Sequence, residues 1–213
     1  IALKLEGMQR ESYLRAEREG LAQLRKKGEE VRVENILELI VRLKQICNFD
    51  PVTGASAKME RLQADIEECA DSGRKAIVFS QWVKSLQQIK QHLRKFHPVE
   101  YHGQLPAKQR ETVIEEFKQS NKSSVILMSY GAGSVGLNLQ FCGYVFLFDR
   151  WWNPAVEDQA TDRAFRIGQQ KNVFVHKFVT LGTLEERIDE TIENKKKIAS
   201  SIVGADESWL TEL

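Results

Sequence analysis

Lys75-Ala-Ile-Val-Phe-Ser80, followed after a short gap by Ser85-Leu-Gln-Gln-Ile-Lys-Gln-His-Leu-Arg-Lys-Phe96, decides the fold. A short apolar run with no polar alternation is a strand buried on both faces, and the segment after it is an amphipathic helix. The same alternation continues downstream. A short strand is predicted over Val99–His102, a helix over Pro106–Gln119 with Pro in its first turn, and strands over Ser123–Ser129 and Gly143–Asp149. A helix over Pro154–Ile167 and a last strand over Asn172–Thr180 complete the pattern. Strands separated by crossover helices and apolar on both faces predict an α/β fold, a parallel sheet with helices on both faces.

Outward from this core the chain is helical. Residues 7–47 place Leu14, Leu21, Leu24, Ile36, Leu37, Ile40, Val41, Leu43 and Ile46 at helical spacing, and Gly28 divides them into two helices. Asn48-Phe49-Asp50-Pro51 and Gly54 supply turn chemistry, so a boundary is expected near 50–57. Lys58–Ser72 reads as a further helix stopped by Gly73, and Thr183-Leu-Glu-Glu186 is a capping box that opens a final one. The expected organisation is a helical extension and linker over 1–56, a sheet domain over 57–182 and a C-terminal helical brace over 183–213.

The composition narrows the function. The 213 residues carry 31 Lys plus Arg against 30 Asp plus Glu, a net charge of +1, which excludes a globally basic polyanion binder and leaves only a local groove for nucleic acid. With 42% hydrophobic and 29% charged residues, the chain is globular. Its apolar runs, such as Tyr144–Phe148, are too short to span a bilayer, so no membrane partner is expected. Cys47, Cys69 and Cys142 lie too far apart for a disulfide framework or a CxxC metal site, and a cytoplasmic location is expected. The opening Ile-Ala-Leu-Lys-Leu-Glu has neither an initiator Met nor a signal-peptide pattern, so the chain reads as a piece of something longer. His92, His97, His102 and His176 show no paired ligand spacing, and no metal site is assigned. GxSxG is absent. So is GxxxxGK[ST], the loop that wraps nucleotide phosphates in its own amides; alone, the chain should not hydrolyse a nucleotide.

Two constellations carry chemistry. Gly131-Ala-Gly133-Ser-Val-Gly136 formally matches the dinucleotide fingerprint GxGxxG. The match is weak, because only Leu137–Cys142 separate Gly136 from the next strand and no crossover helix fits there. A tight turn, or glycines that let a phosphate backbone approach main-chain N–H groups, are the other readings. On the helix begun by Asn153-Pro154, Gln159, Arg163 and Arg166 share one face at i, i+4 and i+7. Two guanidiniums beside an amide suit a transferring phosphoryl group. Their alternative role is helical: Arg166 complements the dipole in the last turn before Gly168 and pairs with Asp162 at i, i+4.

These residues resemble a known family. Asp158-Gln-Ala-Thr-Asp-Arg163-Ala-Phe-Arg166-Ile-Gly-Gln169 is similar to helicase motif VI of the Swi/Snf-like DNA translocases. Phe148-Asp-Arg-Trp-Trp-Asn-Pro154 resembles the block before it, Ser129–Leu139 motif V, and Lys75–Trp82 motif IV. Tyr101-His-Gly103 and the Gln109-Arg110 helix resemble the segment between, Leu39–Asn48 the helix entering the lobe, and Gly182–Arg187 the helix leaving it. The likeness implies the second, C-terminal RecA-like lobe of an ATP-dependent double-stranded DNA translocase, a DNA-dependent ATPase only as part of the full-length protein. It implies ATP in the cleft against an N-terminal RecA-like lobe, with Mg2+ held by that other lobe. Arg163 and Arg166 match the arginines that complete the site, with Gln159, Asp162 and Gly136 as nucleotide-positioning partners. Family DNA contacts carry over to Ser80, Gln81, His102, Gly103, Ser129, Gly133 and Trp152, all at carboxyl ends of predicted strands or just beyond. Small hydroxyls, amides and main-chain N–H groups hold phosphates without reading bases. A monomer is expected. Two departures stand out: Gly131 occupies a position where the family often has Lys, and Phe165 one where many eukaryotic members have His, which favours a bacterial or archaeal member. Two rival readings stand beside this one, a non-catalytic duplex-binding module and a dinucleotide oxidoreductase.

Overall fold

The computed structural model describes residues 1–132, 137–162, 164 and 172–194. In chain order the elements are β1 (Ala2–Lys4), α1 (Gly7–Lys27), α2 (Val33–Asn48), α3 (Ala57–Asp71), β2 (Lys75–Ser80), α4 (Val83–His92) and β3 (Val99–Tyr101). There follow α5 (Ala107–Gln119), β4 (Val125–Ser129), β5 (Cys142–Leu147), α6 (Pro154–Thr161), β6 (Phe174–Lys177), β7 (Val179–Leu181) and α7, described over 184–194.

The five central strands run parallel in the order β3-β4-β2-β5-β6. Alternation along β2 shows why both faces need helices. Ala76 and Val78 join Leu62, Ile66, Leu86, Ile89 and Phe146 on the α3/α4 side, while Ile77 and Phe79 join Val113, Phe117, Val145 and Ala160 on the α5/α6 side. The connection leaving β2 goes toward β3, and the one leaving β5 goes toward β6. The carboxyl ends of β2 and β5 therefore flank the switch point, where open α/β sheets bind ligands.

The expected strand Asn172–Thr180 is two strands. Phe178 interrupts it, fully buried, its N–H donating to Leu147 O at 3.0 Å, and the chain then leaves the main sheet. Beyond it β7 pairs in parallel with β1, a strand too short to leave a periodicity in the sequence. The expected helix Ser85–Phe96 is α4 followed by a 3-10 turn at Arg94–Phe96, which His97 closes in the left-handed region at φ 49°. Of the expected helix Pro154–Ile167, α6 accounts for the first part, and Arg163 and 165–167 lie outside the described residues.

The extension is an antiparallel hairpin of α1 and α2, divided by Gly28 at φ 50°. At Gly20 the two helices come so close that a Cβ would overlap Leu39. Gln9 staples the assembly: its Nε2 donates to Ile46 O at 2.8 Å, and its Oε1 accepts from Ala57 N at 3.1 Å. Leu5, Tyr13, Ala16, Leu43, Ile46 and Cys47 form a separate small core, against which Leu184 of α7 packs. Tyr13 Oη accepts from Leu184 N at 2.7 Å, so the first helix caps the last.

Candidate nucleic-acid interface and its supporting network

Asp149 sits just past β5, at the switch point, and is fully buried. Its carboxylate is saturated by the chain itself. Oδ1 accepts from Gln81 N and from Gln81 Nε2, both at 3.0 Å, and Oδ2 accepts from Ser80 Oγ at 2.5 Å and Asn48 Nδ2 at 3.0 Å. Four donors to one buried carboxylate join the exit of β2 to the exit of β5 and to the end of α2. The backbone is held as well, since Tyr130 Oη donates to Asp149 O at 2.7 Å. Burial beside Asp149 raises the Tyr130 phenol well above its ordinary value, so it stays a donor.

The network runs on to the brace. Lys58 Nζ donates to Asn48 Oδ1 at 3.0 Å and to Glu185 Oε1 at 2.6 Å, and neither Lys58 nor Glu185 is exposed. Glu185 Oε2 in turn accepts from Thr180 Oγ1 at 2.8 Å. Arg150, buried too, donates from Nε to Glu157 Oε1 at 2.8 Å and pairs with Asp189 of α7. A chain of charged hydrogen bonds thus connects α7, α3, α2 and the ends of β2 and β5.

Outside this network the rim opens. Trp152 follows Arg150 and Trp151 and is 45% exposed. Asn153 then caps α6, its Oδ1 accepting from Ala155 N at 3.0 Å, with Pro154 at the first helical position. Gln159 and Asp162 are both exposed at the other end of α6. Trp151, by contrast, is half-buried and packs its ring on Tyr130 at 5.6 Å.

The expected site residues divide accordingly. Ser80 lies in the interior with its hydroxyl engaged by Asp149, and the Gln81 amide is turned to the same carboxylate. Ser129 is level with Ser80 across the β2–β4 pairing and half-buried. His102 is 6% exposed, with Nε2 3.9 Å from Glu100 Oε1, and Gly103 beside it is exposed. Trp152, Gln159 and Asp162 face solvent. Gly133, Gly136, Arg163 and Arg166 lie outside the described residues. Among the described residues no cluster of three or more His, Cys, Asp or Glu is placed to hold a metal ion.

Sequence reasoning passed over Asp149, Lys58, Glu185 and Arg150 as functional supports. A signal was present for two of them. Lys58 falls on the same helical stripe as Leu62, Ile66 and Cys69, and Glu185 on that of Ile188 and Ile192. A charge inside an apolar stripe announces a buried partner.

Comparison with known proteins follows this geometry. Residues 57–168 match the model of the helicase conserved C-terminal domain. YwqA of Bacillus subtilis, named as an ATP-dependent helicase/translocase, is 39% identical over 191 residues, 84% of this chain and 20% of YwqA. The solved C-terminal domain of a Sulfolobus solfataricus SWI2/SNF2 ATPase is 30% identical with a TM-score of 0.74, covering 100% of this chain and 92% of that one. A SWI2/SNF2 ATPase core from the same organism, solved in complex with double-stranded DNA, is 33% identical at a TM-score of 0.76 and covers 100% of this chain and 47% of that one. The chain spans between 12% and 21% of the length of the curated relatives it matches.

Proposed function

Because the chain belongs to the helicase C-terminal domain family, as the C-terminal lobe of a SWI2/SNF2 ATPase, we propose that it is the second motor lobe of an ATP-dependent double-stranded DNA translocase. Its carboxyl rim holds the DNA backbone, and the segment following α6 completes an ATP site built mainly by an N-terminal lobe. The observation that carries this reading is the exit of β5. Within about twenty residues of sequence it presents a half-exposed indole, Trp152, and a helix whose far end carries exposed Gln159 and Asp162, followed in the sequence by Arg163 and Arg166.

Each group has a distinct task. Trp152 stacks on a base or deoxyribose, a contact tolerant of sequence because every base has a π-face. Ser129, Gly103 and the glycines from Gly131 to Gly136 bring small hydroxyl and N–H groups to phosphates, which position a duplex without reading it. His102 adds a ring nitrogen at the same rim. Ser80 and Gln81, whose side chains Asp149 holds, fix the strand ends rather than touch phosphate themselves. Arg163 and Arg166 place positive charge on the γ-phosphoryl group as its charge spreads in the transition state, and Gln159 and Asp162 orient them. Magnesium, which would neutralise the phosphates, would be held by the other lobe. ATP binding favours the closed cleft and hydrolysis releases it, so population shift between the two moves the lobe along a strand.

The test is ATP turnover in two proteins. The 213-residue chain alone should turn over no ATP, and the full-length protein should hydrolyse it faster when duplex DNA is added. Robust turnover by the chain alone, or full-length turnover indifferent to DNA, contradicts the reading.

A further inference from the structure

We propose that Lys44, on the helical extension, is the residue that positions Trp152 for DNA, by gripping its indole together with that of Trp82; this rests on Trp152 being a DNA contact as read above. Lys44 is 1% exposed, deep enough that its ammonium has lost nearly all its water. Nζ donates a hydrogen bond to Arg150 O at 2.7 Å. Among the described residues no carboxylate lies within ion-pair distance of it. What faces the charge is aromatic: Nζ sits 5.2 Å from the centroid of the Trp152 ring and 5.5 Å from that of Trp82.

That arrangement is hard to explain as packing. An ammonium ion removed from water without a carboxylate partner is costly. Burial indeed holds the Lys44 amine below its ordinary lysine value, with Asp149 opposing the shift. A methionine or leucine would fill the same volume without the penalty. Two indole faces recover part of it, since Trp is the strongest of the aromatic partners for a cation. The recovery depends on both rings staying in place, so Lys44 is bound to them as much as they are to it.

The location gives the grip its consequence. Trp82 precedes α4 after β2, Trp152 precedes α6 after β5, and Lys44 comes from α2 to stand between them at the switch point. Trp152 has nearly half its surface in solvent and sits in a loop, where an unsupported side chain samples several rotamers. Fixing it before DNA arrives removes an ordering cost from binding. Lys44 is accordingly a positioning residue: it acts on DNA through Trp152.

The experiment uses the chain labelled with 5-fluorotryptophan, its four indole resonances assigned by single Trp→Phe variants, and a fluorescently labelled duplex titrated at one fixed salt concentration. Lys44→Gln keeps a donor for Arg150 O and removes the charge. It should shift and broaden the Trp152 and Trp82 resonances and weaken duplex binding about tenfold, the upper part of the range for a desolvated cation–π contact. Lys44→Arg should restore both signals and affinity. In a Trp152→Ala background Lys44→Gln should cost no further affinity. Resonances unmoved by Lys44→Gln, or an equal loss of affinity with Trp152 already removed, overturn the proposal. Undiminished duplex binding by Trp152→Ala alone overturns instead the reading of Trp152 as a DNA contact, and the fluorine spectrum tells the two failures apart. Should Lys44→Gln not fold, Trp152→Leu reads the contact from the other side: the ε-methylene protons of Lys44, shifted upfield by the rings, should return toward the ordinary lysine position, and unmoved protons overturn the grip.

Discussion

Ser80 and Trp152 occupy equivalent places, each at or just past the carboxyl end of a central strand, yet one is sealed and the other is open. Ser80 is 0% exposed and donates its hydroxyl to Asp149, whereas Trp152 is 45% exposed. The difference teaches that the rim proposed to hold DNA has two layers. An inner layer of charged hydrogen bonds fixes the strand ends relative to one another, and an outer layer of exposed groups faces solvent. Residue type alone does not assign a group to either layer.

Breaking the inner layer should cost the most. Lys58→Met leaves Glu185 as an uncompensated charge in the interior, and urea unfolding should register a loss of about 3–5 kcal/mol. Replacing both, Lys58→Met with Glu185→Leu, should recover much of that, because the desolvation penalty goes with the pair. A single replacement without measurable effect would show that the network carries no weight.

The two rim residues should then separate cleanly. Ser80→Ala should lower folding stability by about 1.5–3 kcal/mol, the range for a hydrogen bond to a charged group, and leave duplex affinity unchanged at equal folded concentration. Trp152→Ala should differ in acting on DNA: duplex affinity falls by about 1–3 kcal/mol in titrations at fixed salt, and stability falls by about 1–2 kcal/mol as the buried Lys44 ammonium loses one indole face. If Ser80→Ala lost DNA binding with stability intact, the layering would be wrong.

The smallest effect expected is none at all. The Cys47 thiol is pushed up to about 12, chiefly by burial, and lies at the seam of α1, α2 and α7. It should resist iodoacetamide at pH 8 in the folded chain and react once urea unfolds it. Rapid labelling in native buffer would show that the hairpin opens independently of the sheet.

Much of the fold was legible because β2, β4 and β5 are buried on both faces, which leaves continuous apolar runs that no amphipathic helix imitates. The split of β6 from β7 was not, since Phe178, set between Lys177 and Val179, carries no break signal, and Val179 leaves the main sheet to donate to Ile1 O, far away in sequence. The site divided in the same way. That Ser80, Gln81, Ser129 and Trp152 gather at strand ends follows from the run boundaries. The inward turn of Ser80 and Gln81 depends on Asp149, far away in sequence, whose carboxylate exerts its pull only after β2 and β5 have paired. Lys44 left half a trace: it is a charge on the α2 stripe of Ile40 and Cys47, but nothing in the order of residues brings it to the two indoles.

The most direct test of the account is Arg166→Ala in the full-length protein, measuring ATP binding and DNA-stimulated turnover side by side. An arginine finger is worth about 10³–10⁵ in rate, so hydrolysis should fall to background while ATP binding, supplied mainly by the other lobe, persists. Turnover equal to that of the unmodified protein would contradict the account.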